Sequence, residues 1–219
     1  MRPPATLSRV LLGGFLLAVA VDLGSLLLGA DLGHRIAKPL LMPLLAGYAA
    51  SRGAPRLLVV ALLFGWGGDV LLLFDADPAF LAGMGSFAVG HVCYLALFAG
   101  RRAPAPLGLG YALALLVAVP LLWSDLPAGL RIPVAGYALL LAATAYRAGA
   151  LGALTGAGGA LFLLSDTLIA SDLAEWPQLP APDFWVMATY AAAQFLLTTG
   201  ILTTHRASAV PPPAGAGRP

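Results

Sequence analysis

The sequence predicts an all-α fold, a polytopic membrane helical bundle of about eight transmembrane helices with both termini cytoplasmic. Three observations predict it. The 219 residues are 60% hydrophobic and only 10% charged, whereas soluble domains carry about 25% charged residues. The mean hydropathy is +0.89. The apolar residues, rich in Leu and Ala, run continuously over stretches near the ~20 residues that cross a bilayer as a helix. They do not alternate over short segments as the strands of a membrane barrel do.

Each span follows from an apolar run and the chemistry that stops it. The first covers 7–28. Arg2 and Arg9 ahead of LLGGFLLAVA also fit a secretory signal with Ala18 and Ala20 in a cleavage motif. The apolar run resumes after Asp22 and continues to Leu28, which favours its retention as a span. The next spans are 36–51, closed by RGAP (52–55); 57–74, closed by DADP (75–78); 79–98, closed by RRAPAP (101–106); and 107–123, closed by SDLPAG (124–129). The last three are 132–147, 152–171 and 184–204, with EWPQLPAPD (175–183) between the final two. Pro, Gly and Asp in these breaks are helix-stopping residues. No soluble domain intervenes, so residues 1–206 read as one membrane domain. Residues 207–219, ending in VPPPAGAGRP, read as a disordered tail.

Charge fixes the orientation. With eight spans and both ends inside, Arg2, Arg9, Arg52, Arg56, Arg101, Arg102, Arg147, Arg206 and Arg218 fall on the inner side. Only Arg35, Lys38 and Arg131 fall on the outer side. That is a positive-inside bias. Asp31, Asp75, Asp77, Asp125, Asp172, Glu175 and Asp183 all fall outside, and Asp22, Asp69 and Asp166 remain within spans. Counted from the outer ends of their spans, these three lie at one depth, roughly 8 Å in at ~1.5 Å per residue. Lys38 enters from the same side.

An ionisable group inside a span is costly and faces the bundle interior or marks a site. Gly65, Gly67 and Gly68 beside Asp69 allow a neighbouring helix to come close. Phe162, Asp166 and Ile169 share a helix face, as do Phe87, His91 and Tyr94, and Met187, Tyr190 and Gln194. Four helices can thus point polar groups inward. For Asp22 a bland reading suffices: it pairs with Lys38 or snorkels to the interface. His91, Tyr190 and Gln194 could equally be hydrogen-bonded between helices. A metal between Asp69, His91 and Asp166 is the weaker reading, because catalytic zinc takes three ligands, often mostly His. The lone Cys93 makes no intrachain disulfide. Basic residues are few and follow the topology, which excludes a nucleic-acid surface. Short loops offer no sizeable face for a protein partner.

AKPLLMPLLAGY (37–48), GDVLLL (68–73), FLAGMGSFAVGHVCYLALF (80–98) and GALFLLSDTLIA (159–170) resemble the motifs of the YhhN family of lysoplasmalogenase-like integral membrane proteins. The resemblance covers about residues 36–200 and shows no departure at a polar motif position. It implies an eight-helix hydrolase that cleaves the vinyl ether bond of lysoplasmalogens to a fatty aldehyde and a glycerophospho-alcohol. It also implies that no metal or organic cofactor takes part. The expected partners are the lysophospholipid substrate and the bilayer, and the expected location is a bacterial inner membrane. In this reading Asp69 and Asp166 are the catalytic acid and its ionised stabiliser, in unassigned order, much as glycosidases use a carboxyl pair. His91 shuttles the proton or orients water. Lys38 attracts the substrate phosphate, and Tyr94, Ser165, Tyr190 and Gln194 line or tune the pocket. The alternatives are a hydrolase of a different lysolipid and a small proton-coupled transporter, since buried acids also mark proton paths.

Overall fold

A computed structural model describes residues 5–209. All eight predicted spans are helices in the expected order: α1 (Ala5–Leu28), α2 (Asp31–Ser51), α3 (Arg56–Leu71), α4 (Asp77–Leu97), α5 (Ala105–Trp123), α6 (Arg131–Ala148), α7 (Ala153–Leu173) and α8 (Pro182–Ala209). A single 3-10 turn, Gly149–Leu151, joins α6 to α7. Among the described residues there is no strand. Arg2, Arg218 and the tail from residue 210 lie outside the described residues. Residues 207–209, assigned to that tail from sequence, continue α8.

Among the described residues six helices are long and apolar enough to cross a membrane by themselves: α1, α4, α5, α6, α7 and α8. The other two fall short for identifiable reasons. The outer half of α2 carries Asp31, His34, Arg35 and Lys38, and α3 has only 16 residues. These two less self-sufficient helices bring Lys38 and Asp69 to the interior.

Helix ends differ from the sequence reading where loop chemistry was misjudged. The α1–α2 connection is only Gly29 and Ala30, with Gly29 at φ 65°, a conformation glycine adopts without steric cost. Consequently α2 starts at Asp31 rather than 36. Asp31, Asp77 and Asp183 all sit in first turns of helices. A carboxylate there complements the partial positive charge of the helix N-terminus, so these acids start helices rather than populate loops. At the other end of the same logic, α3 stops at Leu71, three residues before the expected 74. Asp69 therefore belongs to the last turn of its helix.

Packing arranges seven helices in a ring. α1 packs on α2, α2 on α3, α3 on α4, α4 on α6, α6 on α7, α7 on α8, and α8 back on α1 and α2. α5 stands outside this ring against α6. Small residues allow the tightest contacts. A Cβ at Gly158 would lie 2.8 Å from the backbone nitrogen of Leu197, so α7 and α8 meet backbone to backbone. A Cβ at Gly68 would collide with the ring of Phe87 on α4. The buried core joins Phe15, Leu41, Leu45, Leu62, Tyr94 and Leu197 across these helices. Leu16, Leu116, Val117 and Ile132 are exposed around the outside, where only lipid would cover them.

Candidate active site

Six helices converge on one cleft. It is lined by Lys38 from α2, Asp69 and Leu72 from the α3 end, Phe80, Met84 and Phe87 from α4, and Tyr137 from α6. Ser165, Asp166 and Ile169 from α7 and Val186, Met187 and Tyr190 from α8 complete it. The cavity volume is about 80 Å³. Its walls are largely apolar; its charged groups are two carboxyls and one ammonium. Asp69, Asp166 and Lys38, drawn together in the sequence reading only by charge and depth, do share this space.

Each carboxyl is held by a tyrosine from another helix. The Tyr190 hydroxyl donates to Oδ2 of Asp69 at 2.9 Å. The Tyr137 hydroxyl donates to Oδ2 of Asp166 at 2.6 Å. Behind Tyr190 a chain runs deeper into the bundle. Gln194 Nε2 donates to the Tyr190 oxygen at 3.5 Å, and the Tyr94 hydroxyl donates to Gln194 Oε1 at 2.7 Å. Donors and acceptors agree along the whole chain, which orients the Gln194 amide and points every hydrogen toward Asp69. Buried polar networks of this kind are stable only when each member is satisfied. Ser165 lines the cleft and donates to the carbonyl of Val186 at 3.1 Å, tying α7 to α8.

Lys38 is buried, yet reaches no carboxylate within salt-bridge distance among the described residues. The one ion-pair contact described is between His34 Nδ1 and Asp22 Oδ1, at 2.8 Å. This corrects the expectation that Asp22 pairs with Lys38. The early start of α2 explains the change, because it places His34 one helical turn before Lys38, opposite Asp22. Lys38 is left to face the cleft.

Five of the predicted site residues therefore line the cleft: Lys38, Asp69, Ser165, Asp166 and Tyr190. Three do not. His91, Tyr94 and Gln194 lie one or two turns deeper along α4 and α8. The His91 ring packs edge-on to Phe162, with centroids 4.5 Å apart, and stands 5.9 Å from the Tyr137 ring. Both its ring nitrogens are buried without a hydrogen-bond partner among the described residues. Among the described residues no three His, Cys, Asp or Glu side chains cluster as metal ligands would, so Asp69, His91 and Asp166 do not form the triad weighed from sequence. Sequence reasoning missed Tyr137, although it is the one hydroxyl-bearing side chain in the outer half of its span.

A second cavity, of about 110 Å³, lies between α5, α6 and α7. Val134, Tyr137, Asp166 and Ala170 line both cavities, so the Tyr137–Asp166 pair forms a shared wall.

Fold and site define a polytopic helical membrane protein whose interior cleft sets a carboxyl pair and a lysine among apolar side chains. The chain belongs to the YhhN family, whose model matches residues 33–201. It is 36% identical over 166 residues to lysoplasmalogenase TMEM86B of Homo sapiens, an alignment covering 72% of this chain and 70% of that protein. It is 39% identical over 145 residues to lysoplasmalogenase TMEM86B of Sus scrofa, covering 64% and 61%. It is 30% identical over 166 residues to lysoplasmalogenase TMEM86A of Bos taurus, covering 69% and 67%. The chain thus spans between 61% and 70% of the length of these relatives. No solved structure matches it significantly.

Proposed function

We propose that the protein hydrolyses the vinyl ether bond of lysoplasmalogens, with Asp69 and Asp166 as its acid and stabiliser pair. The observation that carries this reading is the meeting of two aspartates and an unpaired lysine in one apolar cleft. The relatives named lysoplasmalogenase support it independently.

The chemistry matches the groups available. A vinyl ether is cleaved once a proton is delivered to the carbon beyond the ether carbon. That proton comes from one carboxyl, and the electron pair of the double bond forms the new C–H bond. The ether carbon becomes an oxocarbenium ion, which the second, ionised carboxylate stabilises across the cleft. Water adds to that carbon and releases a proton to the carboxylate that gave one up. The hemiacetal then collapses, breaking the carbon–oxygen bond to the glycerol and giving aldehyde and glycerophospho-alcohol. Glycosidases meet a similar cation with a similar pair. General acid catalysis contributes roughly 10²–10⁴-fold.

Lys38 holds the substrate phosphate at the cleft mouth. Tyr190 and Tyr137 orient the two carboxyls, and Ser165 fixes the local approach of α7 to α8. Gln194 and Tyr94 act through Tyr190. His91, packed behind Phe162 and beside Tyr137, is a positioning residue rather than a proton carrier. Neither carboxyl is asked to bind metal, and no cofactor enters the scheme. Residence in a bacterial inner membrane is part of this reading, supported by helical spans, as opposed to a barrel, and by the arginine bias.

The test is chain-product release, as aldehyde, alcohol or fatty acid, by purified protein from three lysolipids that share a headgroup: a vinyl ether, a saturated alkyl ether and an acyl ester. Aldehyde from the vinyl ether alone is expected. Cleavage of the ester with the vinyl ether untouched would assign a different lysolipid hydrolase.

A further inference from the structure

A second cavity adjoins the cleft at Asp166. Beyond the Tyr137–Asp166 wall, the second cavity is lined mostly by apolar side chains of α5, α6 and α7, among them Ala118, Leu122, Ala138 and Leu163, with Arg131 and Thr167 also in its lining. A third recess, of about 480 Å³, continues between α5 and α7 and shares Ala114, Ala118, Leu122 and Thr167 with the second. The second cavity follows α5 from Tyr111 to Trp123, roughly 18 Å at ~1.5 Å per residue. One leaflet's share of a ~30 Å hydrocarbon core is about 15 Å, so the groove has the length of a lipid chain. α5 itself stands outside the seven-helix ring, packed on α6, with Leu109 and Leu116 exposed on a face that lines none of these recesses.

We propose that the groove between α5, α6 and α7 is a second binding site, which takes the long alkenyl chain of the lysolipid and releases the chain of the aldehyde. The identity of that chain rests on the vinyl ether reading. The geometry follows from the substrate's own connectivity. In a vinyl ether the apolar chain begins at the carbon that receives the proton, and the headgroup begins at the ether oxygen. The reacting atoms must therefore lie where a chain site meets a charged site. Tyr137 and Asp166 occupy that junction, with Lys38 and Asp69 on one side and the α5 groove on the other. This places the double bond beside Asp166 and makes Asp166 the proton donor of the pair.

Two variants narrow the groove without touching the cleft: Ala118→Trp and Ala138→Trp. Each is assayed with a hexadecenyl and a butenyl lysolipid of the same headgroup. The expected result is a loss of about tenfold or more in kcat/KM for the long chain, since displacing even two methylenes is worth about that much, with the butenyl substrate within about twofold of wild type. Equal losses on both substrates, or no loss on either, overturn the inference. A readout without turnover uses the unaltered protein and a saturated hexadecyl ether lysolipid carrying a diazirine at its chain end. Photolabel on residues 111–123 or 134–141 is expected, and label confined to α1, α2 or α8 overturns the site. Label on α5 with no aldehyde from any vinyl ether lysolipid keeps the chain site and refutes the proposed reaction.

Discussion

Asp69 and Asp166 are each held by a tyrosine that arrives from a different helix, and the rest of the site follows from those two hydrogen bonds. Removing a hydroxyl leaves a carboxyl oxygen without its donor, which costs about 1–3 kcal/mol. Tyr190→Phe and Tyr137→Phe are expected to lower turnover about ten- to a hundredfold. Tyr94→Phe, three hydrogen bonds from Asp69, is expected to lower stability by about 1 kcal/mol and turnover by less than either. Kinetics and thermal unfolding of the same samples give the ranking, and a Tyr94→Phe defect in turnover that exceeds both others would sink the network's assigned direction. The donor assignment has its own check. Imidazolium should restore aldehyde release to Asp166→Ala, and azide to Asp69→Ala; the reverse pattern exchanges the roles. Charged residues of the site were legible from sequence because a carboxylate or ammonium within an apolar run is too costly to be incidental. Tyr137 and His34 were not legible. Tyrosine is at home in apolar surroundings, and which carboxyl it meets depends on the rotation of α6 about its axis. The spacing of His91 from Phe87 gives its helix face but not its depth; its ring packs on Phe162 and Tyr137 and does not line the cleft.

At the level of elements, helix existence was legible and helix ends less so. Continuous apolar runs and Pro-rich breaks located all eight helices. Their ends shifted where Asp31, Asp77 and Asp183 joined first turns, because a carboxylate reads as loop composition while physically favouring a helix start. The α7–α8 contact depends on Gly158. Gly158→Leu is expected to destabilise by about 1–3 kcal/mol through overpacking, seen as a lowered Tm in detergent; an unchanged Tm would mean that the two helices are not in backbone contact. Outside the spans, the loop after α5 is joined to the loop after α7. Trp176 Nε1 donates to Asp125 Oδ2 at 2.8 Å, and Ser124 Oγ donates to Oδ1 at 3.0 Å. These donors, Trp176 first, hold the Asp125 carboxyl below its usual range. A depressed folded value means the contact is intact above the ordinary carboxyl value of about 3.9 and is lost as pH falls below it. A variant retaining Trp176 as its only tryptophan should change fluorescence in that acidic range, and Asp125→Asn should abolish the transition.

Over the described residues the molecule is a ring of seven helices with one helix set aside, and its polar cleft lies toward the end where acids cluster. Such a layout suits an amphipathic substrate. In the proposed reading the phosphate meets Lys38, the reacting bond reaches the aspartates, and the chain stays in apolar surroundings throughout. A soluble enzyme would have to extract the lipid fully; by the proposed α5 groove this one need only admit it sideways. Orientation in the membrane came from arginines alone, and the ring closure of α8 onto α1 and α2 had no sequence signal, because long-range helix order is set by side-chain fit across apolar faces that look alike in composition. The central claim is that the two aspartates perform the chemistry together. Its most direct measurement is single-turnover aldehyde release from a vinyl ether lysolipid by Asp69→Asn and Asp166→Asn in proteoliposomes, with unfolding curves matched to the unaltered protein. Losses of roughly 10²–10⁴-fold in both are predicted; a folded variant of either that keeps the full rate contradicts the account.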